Sequence, residues 1–247
     1  MRARYVITVP IMTFDIYQTN LNCPCKMNKQ LLCALFAFVA SVTPLSVQGQ
    51  ELKGDIRAGE QKNALCIGCH GIVGYHASFP EVHKVPKIAG QSGKYISTAL
   101  AAYKKGERKH PSMRSVADGL TAQDMADLGA YYEAAGAVAG AQPLGKASDG
   151  TAKAMELVAK GACASCHGPS LSAPIDPSYP KIAGQHADYL YVALKAYKSE
   201  RHGMVGRANP VMGGIAKQFT QAELKELANY IGSLPGELLT VQPNRFR

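Results

Sequence analysis

The sequence predicts an all-α protein built from two tandem copies of one small helical unit, and three observations carry that expectation. The chain repeats itself: Pro86-Lys87-Ile88-Ala89-Gly90-Gln91 returns as Pro180-Lys181-Ile182-Ala183-Gly184-Gln185, residues 95–104 match 189–198, and 120–131 match 219–230. Apolar residues recur at helical spacing, as in Leu224, Leu227, Ala228 and Ile231. No segment alternates convincingly between apolar and polar residues in the way a half-buried strand would.

Residues 1–49 read as a signal-peptide region. Lys26 and Lys29 precede an apolar run over 31–42, followed by Thr43, Pro44 and a polar stretch ending Gln48-Gly49-Gln50. A short basic segment, a short apolar core and small residues before a polar start are the marks of export. The run is too short, and too soon broken by Pro44, for a membrane span. Met27 is the more natural start, because the segment before it has no targeting rationale. Cys23, Cys25 and Cys33 fall in this region, and Cys33 has no apolar run before it, which argues against lipoprotein processing.

The first unit covers 50–137 and the second 151–247, joined by a Gly- and Ala-rich linker at 138–150. This length holds two small domains but is thin for one large core. Each unit reads as three helices. The first leads into a cysteine motif and the second carries Ala-Leu-x-Ala-Tyr. The third has start signals: Thr121 with Asp124 and Thr220 with Glu223 sit at capping-box spacing, and Leu120 with Met125 and Phe219 with Leu224 are placed as hydrophobic staples. The offset between copies is 97 at the cysteines, 94 in the middle and 99 at the end. The second copy is therefore three residues shorter after its cysteines and five longer before its last helix.

Charge narrows the partners. Residues 51–150 hold 12 Lys and Arg against 10 Asp and Glu, and residues 151–247 hold 11 against 7. This dispersed, moderate basicity argues against nucleic acid and suits docking of the second half on an acidic protein surface.

The chemistry lies in a pentapeptide that occurs twice, Cys66-Ile67-Gly68-Cys69-His70 and Cys163-Ala164-Ser165-Cys166-His167. Cys-x-x-Cys-His is the attachment signature of a c-type haem. Two cysteines one helical turn apart can each form a thioether to one porphyrin, and the histidine that follows supplies an axial nitrogen to the iron. A zinc site would want four ligands in one place, and a thioredoxin-like motif needs no trailing histidine. Two covalent haem c groups consume the four cysteines that remain beyond the signal region. For the second axial ligand each copy offers a methionine in the loop before its last helix, Met113 and Met212, 43 and 45 residues after His70 and His167. His/Met ligation closes the iron to small molecules and raises its potential. His110, His202 and Met204 are rivals, and His76 and His83 sit in the longer loop of the first copy. The Pro86 and Pro180 carbonyls are placed to orient His70 and His167 through their second ring nitrogen. Arg108, Arg201, Gln91, Gln185, Tyr95 and Tyr189 are candidates to hold propionates, or else the tyrosines pack and the arginines face solvent.

With Cys-x-x-Cys-His-Gly, Pro-Lys-Ile-Ala-Gly-Gln, the Ala-Tyr-Lys helix, Pro-x-Met and a tyrosine-bearing last helix all duplicated, the chain resembles the dihaem cytochrome c4 family from about residue 52 to 236. The resemblance implies two class I cytochrome c domains related by a pseudo-twofold axis, their haems facing through propionate edges. It also implies a periplasmic electron carrier without enzyme activity, soluble or loosely membrane-bound. Such a carrier passes electrons from a quinol-oxidising complex toward a terminal oxidase or reductase. Export fits, since haem attachment in this family occurs outside the bacterial cytoplasm. Two other readings stay open: the cytochrome subunit of a flavoprotein sulfide dehydrogenase, and a dihaem enzyme of peroxidase or thiosulfate-oxidising type. Two features depart from the family pattern. The loop at 71–85 is long and bears histidines, and Gly59, the small residue expected where first and last helices cross, is matched by Glu156 in the second copy.

Overall fold

The computed structural model describes residues 52–138, 152–199 and 203–242. The signal region, the linker from 139 onward, Arg201 and His202 lie outside the described residues. Among the described residues each expected three-helix unit contains five helices, because the first breaks before the haem motif and the methionine segment is itself helical. The first half runs α1 (Ile56–Lys62), α2 (Ala64–His70), α3 (Gly93–Lys105), α4 (Pro111–Asp118) and α5 (Ala122–Val138). The second half runs α6 (Ala152–Lys160), α7 (Ala164–His167), α8 (Ala187–Lys198), α9 (Pro210–Lys217) and α10 (Gln221–Ser233). None of these helices is long and apolar enough to cross a membrane. Four two-residue strands also appear, too short to carry an alternation signal. β1 (His76–Ala77) pairs with β2 (His83–Lys84), and β3 (Arg108–Lys109) pairs with β4 (Gly206–Arg207), both antiparallel.

The capping signals form as read. Thr220 and Glu223 make a complete capping box at α10. At α5 the Thr121 amide donates to Asp124 Oδ2 (2.9 Å) and the Asp124 amide donates to Thr121 Oγ1 (3.1 Å). The staples close behind them. Leu120 and Met125 border the first core with Ile96, Leu100 and Leu128, and Phe219 and Leu224 pack with Leu157 and Leu227. Leu128, Phe219 and Leu224, the fully buried members, each contribute about 1.5–3 kcal/mol.

Small residues set the helix crossings of the first half. A Cβ on Gly59 would stand 2.1 Å from the Asp127 carbonyl oxygen, so α1 and α5 meet backbone to backbone only because no side chain intervenes. In the second half Glu156 turns outward, and Ala154 and Leu157 are the buried residues of α6. Leu157 then packs on Leu224 and Leu227 of the last helix, so this crossing is made through side chains.

The halves are joined by a reciprocal clasp. Gln91 Oε1 accepts from the Lys181 amide (2.9 Å) while its Nε2 donates to the Lys181 carbonyl (3.0 Å). Gln185 does the same to Lys87, at 3.0 and 2.8 Å. An interface in which each half gives the other the same contact is the signature of twofold symmetry. Gln91 and Gln185, offered as propionate ligands, are instead spent holding the halves together. The extra length of the 71–85 loop goes into the same interface: the Lys84 amide donates to Asp188 (3.0 Å), Glu81 pairs with Lys195, and the buried His83 ring lies against Tyr189. The C-terminal tail closes the other side, with the Leu239 amide donating to the Ala89 carbonyl (2.9 Å).

Candidate haem sites

Each site begins where a helix restarts. After α1, Asn63 keeps helical angles and α2 begins, its seven residues carrying Cys66, Cys69 and His70. The helical rise puts Cys66 and Cys69 on one face, one turn apart. In the second half the break is sharper, at Ala162 in the left-handed region (φ 47°), and the short α7 follows with Cys166 and His167. Of the four motif cysteines, Cys69 is exposed and the other three are half-buried. Burial raises the Cys66 and Cys163 thiols above the ordinary range. Among the described residues no cluster of three or more His, Cys, Asp or Glu could hold a metal ion.

Both histidines are oriented as the repeat suggested. His70 Nδ1 lies 2.8 Å from the Pro86 carbonyl oxygen, and His167 Nδ1 lies 2.9 Å from that of Pro180. A carbonyl can only accept, so Nδ1 carries the proton and Nε2 is left as the ring nitrogen able to bind iron. Burial holds both imidazoles below their ordinary pKa, which keeps them neutral as a ligand must be. The two contacts span 16 and 13 residues, so the three-residue difference between the copies is looped out without disturbing them.

The methionines sit in the first turn of a helix rather than in a loop. Pro111 and Pro210 open α4 and α9, and Met113 and Met212 occupy the third position of each. Their amides are capped by the preceding residues, Asn209 Oδ1 at 2.9 Å and His110 Nδ1 at 3.4 Å. Met113 borders the core cluster that Cys66 also borders, and Met212 is half-buried. Met204, the rival in the second copy, is 56% exposed. His110 is occupied as a helix cap and by the Phe79 carbonyl.

Between the halves lies a cluster that sequence reading found only in part. Arg108 and Arg207 are register partners across β3 and β4. Arg108 donates to the Tyr95 hydroxyl (3.1 Å) and more weakly to that of Tyr189 (3.4 Å), and Arg207 donates to Tyr189 (3.0 Å). Their guanidiniums also stack over Tyr103 and Tyr197, at 4.7 and 5.2 Å from the ring centroids. Burial would raise the Tyr189 phenol, but the two guanidiniums outweigh it and bring it down to about 8. Burial dominates at Tyr95 and pushes it up to about 12. Arg108 Nε is buried with no hydrogen-bond partner among the described residues. The counterpart of Arg108 is thus Arg207, not Arg201. Arg207 lies 99 residues on, the offset of the last helix, and that arithmetic was the available signal.

A cytochrome c family model matches residues 151–235. Cytochrome c4 of Stutzerimonas stutzeri is 30% identical over 227 residues, which cover 84% of this chain and 100% of that protein. The chain belongs to the cytochrome c4 family. It accordingly carries two covalently bound haem c groups, and its class of function is electron transfer. The crystal structure of reduced recombinant cytochrome c4 from Pseudomonas stutzeri agrees, with a TM-score of 0.56 and 28% identity over 73% of this chain and 99% of that one. A thiosulfate dehydrogenase electron acceptor of Stutzerimonas stutzeri strain A1501 is 27% identical over 82% of this chain and 94% of that protein.

The residues present fit a haem in each half. Two thiols a turn apart for attachment and an imidazole with one nitrogen fixed by a carbonyl suit a c-type haem, and each half adds a methionine in the first turn of a helix. Arg108, buried, and Arg207, half-buried, have phenols and ring faces as partners among the described residues and suit carboxylates on the cofactor edge.

Proposed function

We propose that the chain is a periplasmic two-electron-capacity carrier that performs no bond chemistry, shuttling electrons from a respiratory donor complex to a terminal oxidase or reductase. Cys66 and Cys69 anchor the first haem and Cys163 and Cys166 the second. His70 with Met113, and His167 with Met212, supply the axial ligands. Arg108 and Arg207 hold propionates between two cytochrome c domains, 50–137 and 151–247. The haem supplies one electron per iron; the chain binds it, fixes the histidine tautomer and excludes water. The carrying observation is that both histidines present the same nitrogen by the same carbonyl contact in both halves. The test is ligation: low-spin spectra with a methionine-to-iron band at both haems support it, and a high-spin haem in the unaltered protein refutes it.

A second reading concerns the donor. Its likeness to a thiosulfate dehydrogenase electron acceptor favours a role as the dedicated acceptor of a sulfur-compound dehydrogenase. Reduction by such an enzyme at rates above those with a quinol-oxidising complex would select it.

A further inference from the structure

The two halves differ at one buried position beside the haem anchor. Tyr132 of α5 is 6% exposed and lies in the core cluster that Cys66 borders. Its hydroxyl stands next to the Cys66 sulfur. It is buried, and apart from that sulfur it has no hydrogen-bond partner among the described residues. The position 99 residues on is Ile231, 5% exposed, in the cluster that Cys163 borders. One anchor therefore faces a phenol and the other a hydrocarbon.

A buried hydroxyl with nothing better than a weak sulfur acceptor beside it is costly, and native interiors rarely keep one. Phenylalanine would fill the same space without that cost. We propose that the Tyr132 hydroxyl donates a hydrogen bond to the haem anchored at Cys66, at its thioether sulfur or a carboxylate, and so raises that haem's potential relative to its twin. This rests on the assignment of Cys66 as a haem anchor. The sign follows from the dipole: a donated proton faces its positive end to the cofactor, and the reduced haem carries the extra electron it stabilises. Ile231 offers its haem no such contact.

The experiment is a spectroelectrochemical titration of the haem-loaded full chain, resolved into two midpoints, for the parent, Tyr132→Phe and Ile231→Tyr. Tyr132→Phe is expected to lower one midpoint and leave the other in place. At fixed potential the reduced-to-oxidised ratio of that haem falls about three- to tenfold, roughly 30 to 59 mV at 59 mV per tenfold. Ile231→Tyr is expected to raise the midpoint that Tyr132→Phe left alone. Two unmoved midpoints in Tyr132→Phe, or two that move equally, overturn the proposal, whatever Ile231→Tyr does. The anchor assignment fails separately, as a protein with fewer than two covalently held haems.

Discussion

Replacing Gln91 by alanine tests the clasp between the halves. Gln91 is 4% exposed, and its amide makes three bonds: it accepts from the Lys181 amide (2.9 Å) and the Ser92 amide (3.1 Å) and donates to the Lys181 carbonyl (3.0 Å). Alanine removes all three and leaves two backbone groups of Lys181 inside the interface without partners. Each orphaned group costs about 1–3 kcal/mol, so the expected loss is about 2–6 kcal/mol. Gln185→Ala should cost a similar amount, because its contacts to Lys87 and His186 mirror these. The assay is guanidinium unfolding followed by far-UV circular dichroism. With a slope of about 4 kcal/mol/M, the midpoint should fall by roughly 0.5–1.5 M. Haem content should not change, since neither glutamine contacts a haem-motif residue. A midpoint shift below 0.2 M in both variants would refute the reasoning.

Three further outcomes follow from the same geometry. Met113→Ala and Met212→Ala should each render one haem, and only one, reactive to carbon monoxide in the reduced state; if neither optical spectrum changes on adding the gas, the axial assignment is wrong. Gly59→Val should lower the melting temperature by about 6–12 °C, from roughly 3 kcal/mol of overpacking against the Asp127 carbonyl, whereas Glu156→Val on the outward face of α6 should shift it by less than 2 °C. Burial, followed by Lys87, lowers His186 to about 4, so the unfolded chain takes up its proton first as pH falls below 6.5. Stability should be full above pH 7 and decline between pH 6.5 and 4, by about 1 kcal/mol after allowing for the ring's partial exposure; His186→Asn should flatten that slope in unfolding curves at pH 7 and 5.

How much the sequence disclosed depended on whether a feature was repeated. The cysteine motifs, Pro86 and Pro180, the capping residues and the paired methionines all recur, and each copy stands at a corresponding place in its half. The helix around each methionine was missed because Pro-Ser-Met and Pro-Val-Met look like loop until their caps, His110 and Asn209, are seen accepting from the methionine amides. Gln91 and Gln185 were seen as a pair, but their partners are backbone groups about 90 residues away, which no side-chain pattern encodes. Arg207 was missed because an insertion moves the offset from 94 to 99, and Arg201 lay nearer the earlier count. Tyr132 escaped for the opposite reason: a search for matches passes over the position where the copies differ.

The central claim is that both irons are closed by histidine and methionine. An optical redox titration of the exported, haem-loaded protein, with carbon monoxide added to the reduced form, tests it most directly. Two low-spin haems at high potential, both inert to carbon monoxide, are the predicted result. A high-spin, carbon monoxide-binding haem at low potential would contradict it and put an open iron, with the chemistry of an enzyme, in its place.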